Sequence, residues 1–142
     1  MKIIALVFAS VAAIKVREEP SFKVEVKSFA ENGHVSTCKD GDTAKVNYTG
    51  RLTDGKVFDS SIKDGIADPF KFTIGASQVI KCWDMAVFQM QPGEKATVTC
   101  PPNLAYGEEG AGDTIGPNAT LIFDIDVLDC ETGFWEYYNF II

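Results

Sequence analysis

Residues 70–87 read FKFTIGASQVIKCWDMAV, and the hydrophobic period changes in the middle of that stretch. Phe70, Phe72 and Ile74 alternate with Lys71 and Thr73, the period-two pattern of a strand with one buried face. Gly75 then interrupts the strand. Ser77 is placed to cap a helix, and Val79, Trp83 and Val87 recur every four residues, which puts them on one stripe of it. A strand of aromatic residues thus runs into a short helix that turns an indole inward, with Val79 and Ile80 in its first turn. Such a juxtaposition can floor an apolar pocket.

Working toward the N-terminus, the segment 62–68, IKDGIAD, reads as a loop that bulges a strand before Phe70 resumes it. Ahead of it, Val57-Phe58-Asp59-Ser60-Ser61 is a strand end with a phenylalanine beside a carboxylate. Asp59 has two readings: an acceptor for Ser60, Ser61 or a turn amide, or a partly buried acceptor facing Tyr48. Asp54-Gly55 between Leu52 and Val57 signals a two-residue hairpin. Ala44, Val46 and Tyr48 alternate with Thr43, Lys45 and Asn47 in the strand before that hairpin. An inward tyrosine needs a partner for its hydroxyl, so Tyr48 belongs at the rim of a pocket. Phe22 to Phe29 alternates in the same way and should be a first, half-exposed strand.

Toward the C-terminus, Gln91-Pro92-Gly93-Glu94 places proline and glycine as a type II turn requires. Ala96, Val98 and Cys100 form the inward face of a further strand, ended by Pro101-Pro102. The glycine-rich stretch 104–118, LAYGEEGAGDTIGPN, is long enough to be a functional loop. The last strand runs from Ala119 to Asp129, with Leu121, Phe123, Ile125 and Val127 facing in. The expected fold is α+β: a five-stranded antiparallel sheet packing one face on one short helix.

At 142 residues the chain holds one domain. Its net charge of -7 leaves no basic stripe to neutralise a phosphate backbone, which excludes nucleic acid as a partner. Lys2 followed by an apolar run from Ile3 to Ile14 is too short to span a bilayer. It reads as a secretory signal peptide over residues 1–13, placing the mature protein in an oxidising compartment of the secretory pathway, retained in the endoplasmic reticulum or secreted. The four cysteines have no CxxC spacing and the one histidine, His34, sits among turn residues, so neither a metal site nor a nucleophile–base pair is expected, and no cofactor. The aromatic segment 131–142 either covers apolar surface or docks on a partner.

Six separated motifs carry a resemblance. VNYTG at 46–50, VFDSS at 57–61, PFKFTIG at 69–75, QVIKCWD at 78–84, AYGEEG at 105–110 and IGPNATLIFDIDVL at 115–128 resemble, in order and spacing, the FKBP-type peptidyl-prolyl cis/trans isomerases across residues 22–130. The resemblance implies a strongly twisted five-stranded sheet wrapped over the helix, with an apolar cavity between them that binds proline-containing polypeptides and macrolides such as tacrolimus and rapamycin. A monomer is expected, with a catalytically weak binding module or chaperone as the alternative.

By position, Tyr48, Phe58, Asp59 and Tyr106 match the family's catalytic set. Phe70, Val79, Ile80, Trp83, Ile115 and Phe123 match its ligand-binding set, Trp83 as the floor. The same resemblance implies that the Ile80 amide and the Tyr106 hydroxyl donate to ligand carbonyls. It brings Cys38 near Cys130, leaving Cys82 and Cys100 as core thiols or a second pair. Cys82 stands where the family usually has glycine, and Lys63 is the candidate to hold Asp59 in place of the family's arginine.

Overall fold

A computed structural model describes residues 20–29, 31 and 36–133. The expected signal peptide at 1–13, His34 and the aromatic residues from 134 onward lie outside the described residues. Among the described residues there are eight strands, one α-helix and a single 3-10 turn: β1 (Lys23–Ser28), β2 (Thr43–Leu52), β3 (Val57–Ser60), β4 (Ile62–Lys63), β5 (Ile66–Ala67), β6 (Phe70–Thr73), α1 (Lys81–Val87), β7 (Lys95–Cys100), the 3-10 turn (Pro102–Leu104) and β8 (Leu121–Glu131).

The main sheet is antiparallel, ordered β1-β7-β8-β2-β3, with β6 also on β2. β3 pairs with residues 49–51 of β2 and β6 with residues 43–46, so the two share one edge and the sheet is five strands wide. The expected resumption of the strand at Phe70 is therefore what occurs. The excursion between them is a small hairpin of β4 and β5 rather than an irregular bulge.

Strand periodicity sets what is buried. Ala44 and Val46 of β2, Ala96, Val98 and Cys100 of β7, and Leu121, Phe123, Ile125 and Val127 of β8 all face one core. α1 lies against that face and buries Cys82, Trp83, Ala86 and Val87. Seven residues are too few for a helix to hold in isolation, so packing rather than propensity maintains it.

Two local expectations are corrected. Ser77 does not cap α1: its φ is 56°, in the turn after Gly75, and the helix begins after Ile80 with no side-chain cap. The loop is fastened instead by Gln78 Oε1, which accepts from the Thr73 amide at 2.9 Å, and by Asp84 Oδ1, which accepts from the Gly75 amide at 2.9 Å. Val79 and Ile80 thus precede the helix and are half-buried. The β2–β3 connection has three residues between Leu52 and Lys56 instead of two, because Leu52 and Lys56 close it by a backbone bond of 2.9 Å with Gly55 at φ 91°.

All four cysteines are paired. Cys38–Cys130 joins the chain ahead of β2 to the end of β8, as the resemblance implied, and Cys82–Cys100 joins α1 to β7. Cys82 and Cys100 have no exposed surface, so that second crosslink lies wholly in the core beside Trp83.

Candidate active site

Trp83 is placed by the first turn of α1 and is 4% exposed. Four rings surround it, with centroid distances of 4.9 Å to Tyr48, 5.2 Å to Phe123, 5.7 Å to Phe72 and 6.2 Å to Phe70. Tyr48, Phe70 and Phe123 stand at 76–88° to the indole, the edge-to-face geometry that the aromatic quadrupole favours. The indole Nε1 is buried without a hydrogen-bond acceptor among the described residues.

Over this floor lies a cavity of about 250 Å³. β2 contributes Tyr48, β3 contributes Phe58 and Asp59, β6 contributes Phe70 and β8 contributes Phe123. The loop before α1 supplies Val79 and Ile80, and the long loop after β7 supplies Tyr106. Nine of the ten site residues expected from the sequence therefore meet at one place. Ile115 does not. The mutual backbone bonds between Ala111 and Ile115, 2.8 and 3.1 Å, close that loop into a tight turn, and Ile115 packs into the core at 8% exposure.

The rim is polar at one point. The Tyr48 hydroxyl donates to Asp59 Oδ2 at 2.6 Å, and the Ser60 amide donates to Asp59 Oδ1 at 2.9 Å. Both readings of Asp59 thus hold together, although the residue is exposed rather than partly buried. Lys63 makes no ion pair with Asp59 among the described residues; the partners of the carboxylate are the phenol and the amide. Burial, reinforced by the Asp59 carboxylate, keeps the Tyr48 hydroxyl above the ordinary phenol range. The Ile80 amide, one residue ahead of α1, has no acceptor among the described residues.

Three contributors were not singled out in advance. Gln78 lines the cavity while holding the loop to β6. Ser61 is 8% exposed and its Oγ accepts from the Tyr48 amide at 2.9 Å, which fixes the strand carrying the phenol. Gly50 lies beneath two walls: a Cβ there would stand 2.6 Å from Phe58 Cζ and 2.8 Å from Phe123 Cε1. A glycine on the inward face of an otherwise regular strand was the available signal, since it marks a close approach by other groups. Among the described residues no three His, Cys, Asp or Glu side chains converge to hold a metal ion.

Residues 35–128 match the sequence pattern of the FKBP-type peptidyl-prolyl cis-trans isomerase domain. The chain is 38% identical over 132 residues to FK506-binding protein 2 of Yarrowia lipolytica, covering 91% of this chain and 90% of that one. It is 43% identical over 125 residues to FK506-binding protein 2 of Dictyostelium discoideum, covering 87% and 92%. It is also 44% identical over 108 residues to the peptidyl-prolyl cis-trans isomerase FKBP1A of Xenopus laevis, covering 76% and 98%. With the motif order, the sheet wrapped over one helix and the ring-lined cavity all in agreement, this chain belongs to the FKBP-type peptidyl-prolyl cis-trans isomerase family.

Proposed function

We propose that the cavity over Trp83 binds the proline of an X-Pro segment and accelerates its cis/trans rotation. The observation that carries this is the enclosure of the indole by Tyr48, Phe70 and Phe123, beside an Ile80 amide that has no acceptor among the described residues. Rotation about a peptide bond faces a barrier of about 18–20 kcal/mol because the planar amide is resonance-stabilised. Twisting removes that resonance and with it part of the dipole. A cavity walled by hydrocarbon rings is therefore a poorer solvent for the planar amide than for the twisted one, and each 1.36 kcal/mol of that difference gives about a tenfold rate gain. Ile80 N–H and the Tyr106 hydroxyl serve to hold carbonyls on either side of the rotating bond, while Tyr48 and Asp59 fix each other at the rim. No bond to the substrate forms or breaks, so the site needs no nucleophile. The same cavity suits macrolides of the tacrolimus and rapamycin type, and because one copy of the chain builds it completely, a monomer suffices.

The setting we propose is the secretory pathway, on the N-terminal pattern of Lys2 and an apolar run and on two disulfides, which persist in oxidising compartments. A proline-peptide isomerisation assay with and without rapamycin tests the activity. Acceleration abolished by rapamycin is the expected result; no acceleration above background with intact tacrolimus binding would make the protein a binding module instead. N-terminal sequencing of the secreted protein tests the setting, with a start near Ala13 or Ile14 expected.

A further inference from the structure

A second cavity, of about 460 Å³, adjoins the first and shares Tyr48, Asp59 and Phe70 with it. Its far wall is the β4–β5 hairpin. Asp64 and Gly65 at the tip have φ of 51° and 76°, the type I′ turn that an Asp-Gly pair favours. The hairpin is fastened to the first cavity through Ser61. The Ser61 amide donates to the Tyr48 carbonyl at 3.0 Å, its Oγ accepts from the Tyr48 amide, and its carbonyl accepts from the Asp68 amide at 2.8 Å. Whatever lies on the hairpin is thereby held in register with the phenol at the rim.

The lining of this cleft combines two chemistries. Ile66 is 73% exposed and offers an aliphatic surface at the far side of the cleft. Around it stand the carboxylates of Asp59, Asp64 and Asp68 and the ammonium of Lys63, three negative charges against one positive. Lys63, Asp64 and Asp68 form no ion pair among the described residues. An exposed aliphatic surface bordered by carboxylates matches one kind of side chain closely: a lysine or arginine, whose stem buries on hydrocarbon while its head stays at the water boundary.

We infer that this cleft receives the polypeptide as it leaves the proline cavity, and that it selects substrates with a lysine or arginine near the proline. The inference rests on the cavity over Trp83 being the proline site. A polypeptide held there by one residue must continue on both sides, and the cleft beside Ile66 lies across the shared residues Tyr48, Asp59 and Phe70 from the proline cavity. The net charge of -7 acts in the same direction, steering basic segments inward and acidic ones away.

The test uses the full chain and proline peptides of one core sequence that carry Lys or Glu two residues before or two residues after the proline. Isomerisation is read by exchange NMR, which needs no coupling protease. At one of the two positions the Lys peptide should be turned over about threefold faster than the Glu peptide, with the ratio shrinking at high salt. Asp64→Asn with Asp68→Asn keeps an Asn-Gly turn and should bring the ratio to about one. Titrating the Lys peptide into isotope-labelled protein should shift amides of residues 62–68 together with those of 79–83. A ratio near one at both positions in the unaltered protein, a ratio unchanged in the double variant, or hairpin amides that stay still would each overturn the inference. Absent catalysis on every peptide, with the hairpin amides still shifting, would refute the isomerase reading and support the cleft.

Discussion

Gly50→Ala places the smallest possible side chain under the aromatic walls of the cavity, and the structure sets the size of the disturbance. The added Cβ would stand 2.6 Å from Phe58 Cζ and 2.8 Å from Phe123 Cε1, whereas carbon atoms rest at about 3.5–4.0 Å. Both rings must therefore retreat by roughly 1 Å. Phe123 is 4% exposed and stands against Trp83 at 5.2 Å, so it has little room. Phe58 is half-buried at the rim and can swing outward, which separates it from Phe123, its edge-to-face neighbour at 5.6 Å. Inserting a methyl into a packed site costs about 1–3 kcal/mol, to be read as a lower midpoint in urea or guanidinium unfolding. A displacement of about 1 Å in groups that orient substrate can cost as much as 100-fold in rate. For a wall that moves while the floor remains, we expect kcat/KM on a proline peptide to fall about tenfold. Gly116→Ala is the control, because a Cβ there meets nothing within 4 Å. If Gly50→Ala keeps its unfolding midpoint and stays within twofold of the unaltered activity, the reasoning that joins Gly50 to the cavity walls is wrong.

Other consequences can be checked in the same assays. Tyr48→Phe removes the hydroxyl from Asp59 and keeps the ring, so turnover should drop several-fold with about 1 kcal/mol or less lost in stability; an unchanged rate would remove the rim pair from the mechanism. Because Tyr48 is held above the usual phenol range, it stays protonated from pH 6 to 9 and turnover should be level there, while a bell-shaped profile would show that proton transfer takes part in the step. The raised value also makes its stability contribution complete below about pH 10, the unfolded value, and lost as pH rises beyond it, which alkaline unfolding would detect. Burial pushes the Asp124 carboxyl up, but hydrogen bonds from Arg51 and Thr97 outweigh this and hold it below its usual range. Its contribution is therefore present above about pH 4 and lost below, and Asp124→Asn should flatten stability across that acid limb. Replacing Cys38 and Cys130 by serine opens a crosslink spanning 92 residues and should cost about 3–5 kcal/mol in denaturant unfolding.

The sheet and its inward faces were legible because they depend on a two-residue period, and Ala44, Val46, Ala96, Val98, Leu121, Phe123, Ile125 and Val127 all fall where alternation puts them. The cavity was legible for a different reason: its residues lie in separated motifs whose joint spacing only a folded pocket would require. The helix start was not. A serine ahead of an apolar stripe looks like a cap, but two longer-range bonds, Gln78 to Thr73 and Asp84 to Gly75, set the backbone there, and the sequence carries no local sign of them. Ile115 packs into the core, and matching a position by motif does not say which way a loop residue turns. The contribution of Gly50 depends on distances between rings from β3 and β8, which only the assembled sheet defines.

The two crosslinks have a consequence for how the molecule matures. Along the chain they are nested, 82–100 lying inside 38–130, so neither closure has to pass through the other. Either mispaired arrangement, 38 with 82 or 38 with 100, would drag a cysteine that has no exposed surface out from between α1 and the sheet. Correct bonding is thus a readout of correct burial.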